Sequence, residues 1–188
     1  TGQADVCGMT RALICDPEMA NKARSDRTED IRACIGCNQA CIGHFHMGYP
    51  VSCIQHPETG RELIYGTRSP TQKVKQVMVV GGGPGGMKAA AVLAERGHNV
   101  TLHEATARLG GQALLAQTLP GREEFGGIVT NLSRECELAG VNIEMRSTVD
   151  RSMIEQHKPD AVVLATGGGP RQVDIEGSEE AHVVEAWQ

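Results

Sequence analysis

The cysteines are the residues of this chain with the clearest capacity for chemistry. Four of the seven cysteines lie close together, at Cys34, Cys37, Cys41 and Cys53. Intervals of two, three and eleven residues separate them. A [4Fe–4S] cluster needs four soft anionic ligands around one cofactor, and thiolates are such ligands. We therefore predict that these four residues ligate a [4Fe–4S] cluster.

Structural zinc is the alternative for this segment, because zinc also accepts four cysteine ligands. Zinc ribbons usually pair two Cys-x2-Cys motifs across a spacer, whereas this segment has one such motif followed by two single cysteines. The spacing therefore favours iron–sulfur ligation. Nearby histidines are predicted to be surface groups or neighbours of the ligands: His44, His46 and His56. The other cysteines are predicted to be small buried side chains: Cys7, Cys15 and Cys136.

A second motif is the glycine run GGGPGG at residues 81–86, which follows an apolar run at 77–80. It matches G-x-G-x-x-G between a predicted strand and a predicted helix, which is typical of dinucleotide binding. In this pattern Gly81 allows the tight turn, Gly83 leaves room for a pyrophosphate, and Gly86 lets helix and strand pack closely. The loop therefore predicts a site for FAD or ADP.

Residues around the loop extend the predicted nucleotide site. Pro84 and Gly85 begin the helix, whose N-terminal N–H groups and dipole favour phosphate. Glu104 ends the second predicted strand, where a carboxylate accepts hydrogen bonds from the adenosine ribose. A solvated charge is the alternative for Glu104. Thr166 and Gly167 follow another predicted strand and are expected near the same nucleotide. The alternative is that they form an ordinary loop at the end of that strand.

These motifs require elements that position them, and from residue 74 the sequence alternates between strand and helix patterns. Strands are predicted at 77–80, 99–103, 141–145 and 161–165, and helices at 85–96 and from about 125 to 140. This alternation predicts an α/β, Rossmann-like domain of the glutathione-reductase type. Before it, residues 31–73 show no regular period, so a bound cluster would have to order them. Earlier still, Asp16 is predicted to cap a helix that includes Pro17 and ends near Arg24.

Composition excludes several classes of function. The chain has 188 residues, 40% of them hydrophobic and 22% charged, as in ordinary globular proteins. A net charge of −5 provides no basic surface for nucleic acid or an anionic membrane. No apolar run reaches the length of about 18 residues that spans a bilayer. An odd number of clustered cysteines argues against disulfides, so we predict a reducing, cytoplasmic location. Because it lacks an initiator Met, the chain is expected to belong to a longer product.

The sequence CIGCNQAC at 34–41, the later Cys53 and the GGGPGG loop together resemble a known group of enzymes. These are the multidomain iron–sulfur flavoenzymes of the NADH:flavin oxidoreductase (old yellow enzyme) type, such as 2,4-dienoyl-CoA reductase, trimethylamine dehydrogenase and N-methylproline demethylase. The resemblance extends over essentially the whole chain. It implies three parts: the end of an FMN-binding TIM barrel at 1–30, a cluster segment at 31–73, and an incomplete FAD/ADP domain at 74–188.

The same resemblance implies roles for further residues. Residues 5–24 would form the last βα unit of the barrel, and Gly8 and Arg11 would contact the FMN phosphate there. Gly111 and Gln112 would lie beside the adenine dinucleotide. The implied enzyme is an oxidoreductase in which the cluster relays single electrons between FMN and either FAD or an external acceptor. This chain would hold no complete catalytic site.

Two directions of electron flow remain open. The cysteine spacing is more like that of dienoyl-CoA reductases, whereas residues 52–62 are more like N-methyl amine demethylases. The first would take electrons from NAD(P)H to an enoyl substrate, and the second from a methylated amine to an electron-transfer flavoprotein. We favour amine oxidation, and a homo-oligomer is compatible with either. A zinc-stabilised nucleotide-binding module without redox activity is the alternative from another class.

Overall fold

The structure is a computed structural model that describes residues 2–171, 175–180 and 182–184. Its centre is a four-stranded sheet with strands β1 (Gln76–Val80), β2 (Asn99–Glu104), β3 (Asn142–Met145) and β4 (Ala161–Leu164). The strand order is β3-β2-β1-β4, and all pairs are parallel. The predicted α/β fold with a parallel sheet is therefore confirmed. The last residues of the predicted domain, 185–188, lie outside the described part of the chain.

Eight α-helices accompany the sheet in the described residues: α1 (Arg11–Cys15), α2 (Met19–Arg24), α3 (His44–His46), α4 (Glu62–Tyr65), α5 (Pro84–Glu95), α6 (Ala113–Ala116), α7 (Gly127–Leu138) and α8 (Arg151–His157). Short 3-10 or π turns also form at Thr28–Asp30, Gln39–Gly43 and Glu123–Gly126. The sequence patterns did not predict α3, α4, α6 or α8. For α8 a signal was present at Asp150, a residue type that favours the N-cap, and in the structure its side chain accepts a hydrogen bond from the Met153 N–H.

One face of the sheet packs against α5 and α7 to form the core. Alternate residues of β1 and β2 point to this face, as the period of a strand requires. The buried members are Val77, Val79, Val100 and Leu102 from the strands, Met87, Ala90 and Ala91 from α5, and Leu132 and Cys136 from α7. Burial of each large apolar side chain is worth about 1.5–3 kcal/mol. This core holds the beginning of α5 against the carboxyl ends of the strands, where the glycine loop lies.

The region before residue 31 departs from the sequence predictions. α2 begins at Met19 rather than beside Asp16, and Glu18 stands at its cap position without a side-chain hydrogen bond. Asp16 still makes a capping contact, because its Oδ1 accepts a hydrogen bond from the Glu18 N–H at 3.1 Å. Its Oδ2 is bound by Lys22 Nζ at 2.7 Å and by the Arg32 N–H at 2.8 Å. Residues 2–10 form no strand, since they pair with no other strand in the described chain.

Candidate functional site

The glycine loop between β1 and α5 shows why two of its residues must be glycine. Gly81 has a φ of +108°, and a Cβ there would overlap the carbonyl oxygen of Ala165. A Cβ on Gly86 would overlap the carbonyl oxygen of Gly81. By contrast, no described atom lies within 4 Å of where a Cβ would stand on Gly83 or Gly85. The loop is therefore closely packed toward the sheet and open at the N-terminus of α5.

Glu104 at the end of β2 binds the loop directly. Its Oε2 accepts a hydrogen bond from the Gly82 N–H at 2.8 Å, and its Oε1 accepts one from the Thr106 N–H at 2.7 Å. Burial opposes ionisation, but these N–H groups of Thr106 and Gly82 hold the pKa of Glu104 below its ordinary value. Each carboxylate oxygen has a second lone pair, so the group retains capacity for another donor.

The other predicted nucleotide residues meet at the same edge of the sheet. The Gly110 N–H donates to the Gly82 carbonyl at 2.8 Å, which brings Gly111 beside the loop. Gln112 Nε2 donates to the Gly168 carbonyl at 2.5 Å. The Gly168 carbonyl belongs to the segment that contains Thr166 and Gly167, directly after β4. Ligands of open α/β sheets bind at this carboxyl edge of the strands.

The four clustered cysteines also come together in the structure. They line one cavity, although Cys53 is distant in sequence from the other three: Cys34, Cys37 and Cys41. Left-handed residues make the necessary turns, with φ of +63° at Gly36 and 55° at Asn38. In the part of the chain that the structure describes, no three Cys, His, Asp or Glu side chains are grouped so that they could hold one metal ion.

Cys15 lies in the shell around this cavity. It is buried, and its Sγ accepts a hydrogen bond from Gln55 Nε2 at 3.3 Å. The neighbouring Cys15 thiol and the N–H groups of Gln55 and His56 lower the pKa of Cys53, against the opposing effect of burial. The proximity of Cys53, together with burial, raises the pKa of Cys15. Burial also raises the pKa of Cys37. The lowered pKa favours the thiolate of Cys53, which is the form that ligates metals.

The remaining sequence-predicted residues fall away from the glycine loop. Arg11 Nη1 donates to Asn38 Oδ1 at 2.7 Å, and Arg11 lines the cysteine cavity. Gly8 is exposed. The prediction of burial is confirmed for Cys15 and Cys136 and wrong for Cys7, which is exposed. Cys7 lies in the irregular segment 2–10, which is exposed and offers it no core.

Several polar residues that the sequence patterns did not indicate hold the cysteine segment, which we define as residues 34–53, from the first to the last of the four clustered cysteines. Gln55 is buried, and its Nε2 donates to the Ala33 carbonyl at 2.9 Å and to Cys15 Sγ at 3.3 Å. From α7, Asn131 Nδ2 donates to Gln55 Oε1 at 2.7 Å. Glu135 of α7 binds Arg32. No local pattern marks these residues, because each contact joins distant parts of the chain.

Known proteins share this arrangement over nearly the whole chain. A metal reductase of Desulforamulus reducens is 40% identical over 99% of this chain and 28% of its own length. An N,N-dimethylglycine/sarcosine dehydrogenase of Chromohalobacter salexigens is 40% identical, over the same shares of both chains. A solved complex of 2-naphthoyl-CoA reductase with 2-naphthoyl-CoA aligns with a TM-score of 0.90 and 31% identity, over 96% of this chain and 27% of that chain. These relatives confirm the resemblance to a group of larger oxidoreductases.

The chain spans between a quarter and a third of the length of those relatives. The structure describes no helix long and apolar enough to cross a membrane. The family model for the pyridine nucleotide-disulphide oxidoreductases matches residues 75–187. That range contains the sheet, the glycine loop and Glu104, and the family supports a flavin as the nucleotide cofactor. With this match over more than half of its residues, the chain belongs to the pyridine nucleotide-disulphide oxidoreductase family.

Proposed function

We propose that this chain is the electron-transfer part of a larger flavin-dependent oxidoreductase. In this proposal a [4Fe–4S] cluster is held by Cys34, Cys37, Cys41 and Cys53, and the adenine dinucleotide of FAD, or ADP alone, binds at the glycine loop 81–86. The observation that carries the proposal is that the four cysteines line one cavity, in a chain that also has an open glycine loop at the carboxyl edge of a parallel sheet.

The arrangement of the cysteines supports a cluster over zinc. A zinc ion binds its thiolates at about 2.3 Å, so its four ligands must converge on one point. In a cubane each thiolate binds a different iron, so the ligands surround a larger object. The four cysteines line one cavity, and the chain has one Cys-x2-Cys motif followed by two single cysteines rather than the two such motifs of zinc ribbons. Cys53 suits either metal, whereas the spacing of the set favours the cluster.

The chain's own residues would hold the cluster and tune it. When bound, such a cluster supplies one-electron transfer beside flavins, which exchange electrons in pairs with their substrates. The Gln55 and His56 N–H groups and the Cys15 thiol lower the pKa of Cys53, and polar groups beside a ligating sulfur influence the potential of the cluster. Arg11 places a positive charge on the cavity wall. Reduced thiols are needed for this ligation, so the proposal includes a cytoplasmic location.

The nucleotide would be held mainly by backbone groups. Gly83 and Gly85 leave space in front of the N-terminus of α5, where free N–H groups favour a pyrophosphate. Pro84 at the first helical position has no N–H to lose. Glu104 would accept from the ribose hydroxyls with its remaining lone pairs while it keeps its bonds to the loop. Gly111, Gln112, Thr166 and Gly167 would line the same site.

For the complete protein we propose oxidation of a small N-methylated amine, with an FMN phosphate bound by Gly8 and Arg11 at the end of a barrel. The N,N-dimethylglycine/sarcosine dehydrogenase relative supports this substrate class. A reductase of enoyl substrates that uses NAD(P)H is the second candidate, supported by the structural likeness to 2-naphthoyl-CoA reductase. The electron acceptor in the first case would be an electron-transfer flavoprotein. A homo-oligomer is compatible with both.

Metal analysis of the anaerobically purified protein tests the cluster. We expect iron and acid-labile sulfide in equal amounts, with broad absorption near about 400 nm, as is usual for such clusters. Tightly bound zinc without sulfide would instead support a zinc-stabilised nucleotide-binding module and would overturn the electron-transfer role.

Anaerobic stopped-flow mixing of the complete protein tests the direction. Separate solutions of NADPH and of candidate methylamines are mixed with the oxidised protein, and flavin bleaching is followed. We expect bleaching by an amine without a requirement for NADPH. Rapid bleaching by NADPH, with no response to any amine, would reject amine oxidation and support the reductase.

A further inference from the structure

One face of α7 holds both ends of the cysteine segment. Asn131 Nδ2 donates to the Ala33 carbonyl, which precedes Cys34, at 3.0 Å. The same amide donates to Gln55 Oε1, two residues after Cys53, at 2.7 Å. Glu135 lies four residues further along the helix and therefore on the same face. Its Oε1 accepts from Arg32 Nε at 2.6 Å.

The cysteine loop itself also rests on the beginning of α7. Ile35, between the first two cysteines, is buried, and a Cβ on Gly127 would lie 3.1 Å from its Cγ2. A Cβ on Gly36 would lie 2.9 Å from Glu124 Oε2. A shift of α7 would therefore be transmitted to the backbone around Cys34 and Cys37, because close-packed groups move together.

Glu135 connects this support to the nucleotide loop. Its second oxygen, Oε2, accepts from Lys88 Nζ at 2.7 Å. Lys88 belongs to α5, one helical turn after Pro84, where the proposed pyrophosphate site lies. The side chains of Arg32, Glu135 and Lys88 are only 16%, 14% and 18% exposed, so solvent screens their interaction weakly. One carboxylate thus bridges a cation beside the cysteines and a cation on the phosphate-binding helix.

Arg32 is held on its other sides as well. Its N–H donates to Asp16 Oδ2 at 2.8 Å, and its Nη1 donates to the Cys15 carbonyl at 3.0 Å. Its position therefore depends on the same elements that surround the cysteine cavity. Without the Glu135 carboxylate, the half-buried cations of Arg32 and Lys88 would lose the anion that they share, and breaking such a pair is strongly unfavourable.

We propose that Glu135 is a positioning residue that couples nucleotide binding at the glycine loop to the retention and environment of the cluster. This inference rests on the proposed function, because it needs both cofactors. Binding of the nucleotide fixes the N-terminus of α5, Lys88 and Glu135 follow, and Arg32 holds the backbone that leads into Cys34. The coupling is reciprocal, so the cluster must strengthen nucleotide binding by the same factor.

The test compares Glu135→Gln with Glu137→Gln in the complete, anaerobically purified protein after its nucleotide has been dialysed away. Glu137 is a matched control, since it lies on the same helix and pairs only with Arg134 among the described residues, with its side chain 69% exposed. The rate at which a chelator removes iron is measured with and without saturating ADP. We expect ADP to slow iron release by about fivefold or more in the wild type and in Glu137→Gln, a size typical of coupled sites, and to have no effect in Glu135→Gln.

Two variants of Lys88 distinguish a loss of coupling from a failure of Glu135→Gln to fold. Lys88→Met should also abolish the effect of ADP, and Lys88→Arg, which keeps the cation, should restore it. The EPR spectrum of the reduced cluster should shift on ADP addition in the wild type, in Glu137→Gln and in Lys88→Arg, but not in Glu135→Gln or Lys88→Met. An unchanged ADP effect in Glu135→Gln and Lys88→Met would overturn the coupling while leaving the cofactors in place. Absence of iron and sulfide from the wild type would instead overturn the proposed function, and the coupling with it.

Discussion

The glycine loop and the cysteine segment are held in place by different means. The glycine loop is fixed by backbone contacts at the edge of a sheet, and the absence of side chains at Gly81 and Gly86 makes those contacts possible. The cysteine segment is fixed by individual side chains of α7 and by Gln55, which bind its backbone. The glycine loop therefore depends on the absence of side chains at two glycines, whereas the cysteine segment depends on hydrogen bonds that a few side chains donate to it.

The two regions also differ in their own apolar packing. Met87 and Leu102, beside the glycine loop, are completely buried. In the cysteine segment Phe45, Met47 and Tyr49 are 67%, 61% and 58% exposed. A segment with so little core of its own depends on external anchors or a bound metal group for its order. We therefore expect the two sites to respond differently to substitution.

The largest expected effect is the loss of the cluster from Cys53→Ala. Removal of one of four ligands should reduce iron and sulfide to background, while ADP binding survives because the glycine loop has its own core. Cys7→Ala is the control, since Cys7 is exposed and does not line the cavity. Iron analysis and ADP calorimetry on the same samples check both parts. Wild-type iron content in Cys53→Ala would remove this residue from the ligand set.

The next effect concerns the glycine loop. Gly86→Ala places a Cβ against the Gly81 carbonyl and should cost about 3 kcal/mol or more, as overpacking of a closely packed site does. Gly85→Ala, the neighbouring control, has open space and should leave stability unchanged or raise it by up to about 1 kcal/mol. Urea unfolding measures both. Equal stability of the two variants would contradict the close approach at Gly86.

A smaller effect is expected from Glu104→Gln. The amide keeps one acceptor oxygen but turns an NH2 group toward an N–H that the carboxylate had bound, either that of Gly82 or that of Thr106. ADP binding should weaken by about 1–3 kcal/mol, because the ribose hydroxyls lose a charged acceptor. Glu144→Gln, on the exposed part of β3, is the control. Calorimetry with ADP measures both, and unchanged affinity in Glu104→Gln would rule out a role at the ribose.

The smallest effect is a pH dependence at Asp16. Burial opposes ionisation, but hydrogen bonds from Lys22 and the Arg32 N–H hold the pKa of Asp16 below its ordinary value. Since the pKa is lower in the folded state, the carboxylate stabilises the fold above about pH 4, and this contribution is lost as pH falls further. Asp16→Asn should therefore reduce the acid sensitivity of unfolding, whereas Asp26→Asn, at an exposed position, should not. Urea unfolding between about pH 5 and pH 3 measures the free energy of unfolding of both variants. If Asp16 had no such role, this free energy would fall equally with pH in Asp16→Asn and Asp26→Asn.

Local patterns in the sequence were sufficient for the dinucleotide-binding domain. The run at 77–80, the glycines at 81–86 and the stop at Gly97 carry signals within a few residues, because strand period, turn conformation and helix ends are short-range properties. At Asp16 the local signal was sufficient only in part. Its Oδ1 accepts from the Glu18 N–H as a cap does, but the pattern did not indicate that its Oδ2 binds Lys22 and the Arg32 N–H. A local pattern does not contain a partner as distant as Arg32.

The sequence by itself thus determined the sheet, the glycine loop and the identity of the four clustered cysteines. Only the tertiary structure decided what surrounds them: the contact of Cys15 with Cys53, and the support of the cysteine segment by Asn131 and Glu135. The physical reason is distance along the chain. Arg32 and Glu135 are 103 residues apart, and their ion pair exists because α7 packs in the core with one face left for the cysteine segment.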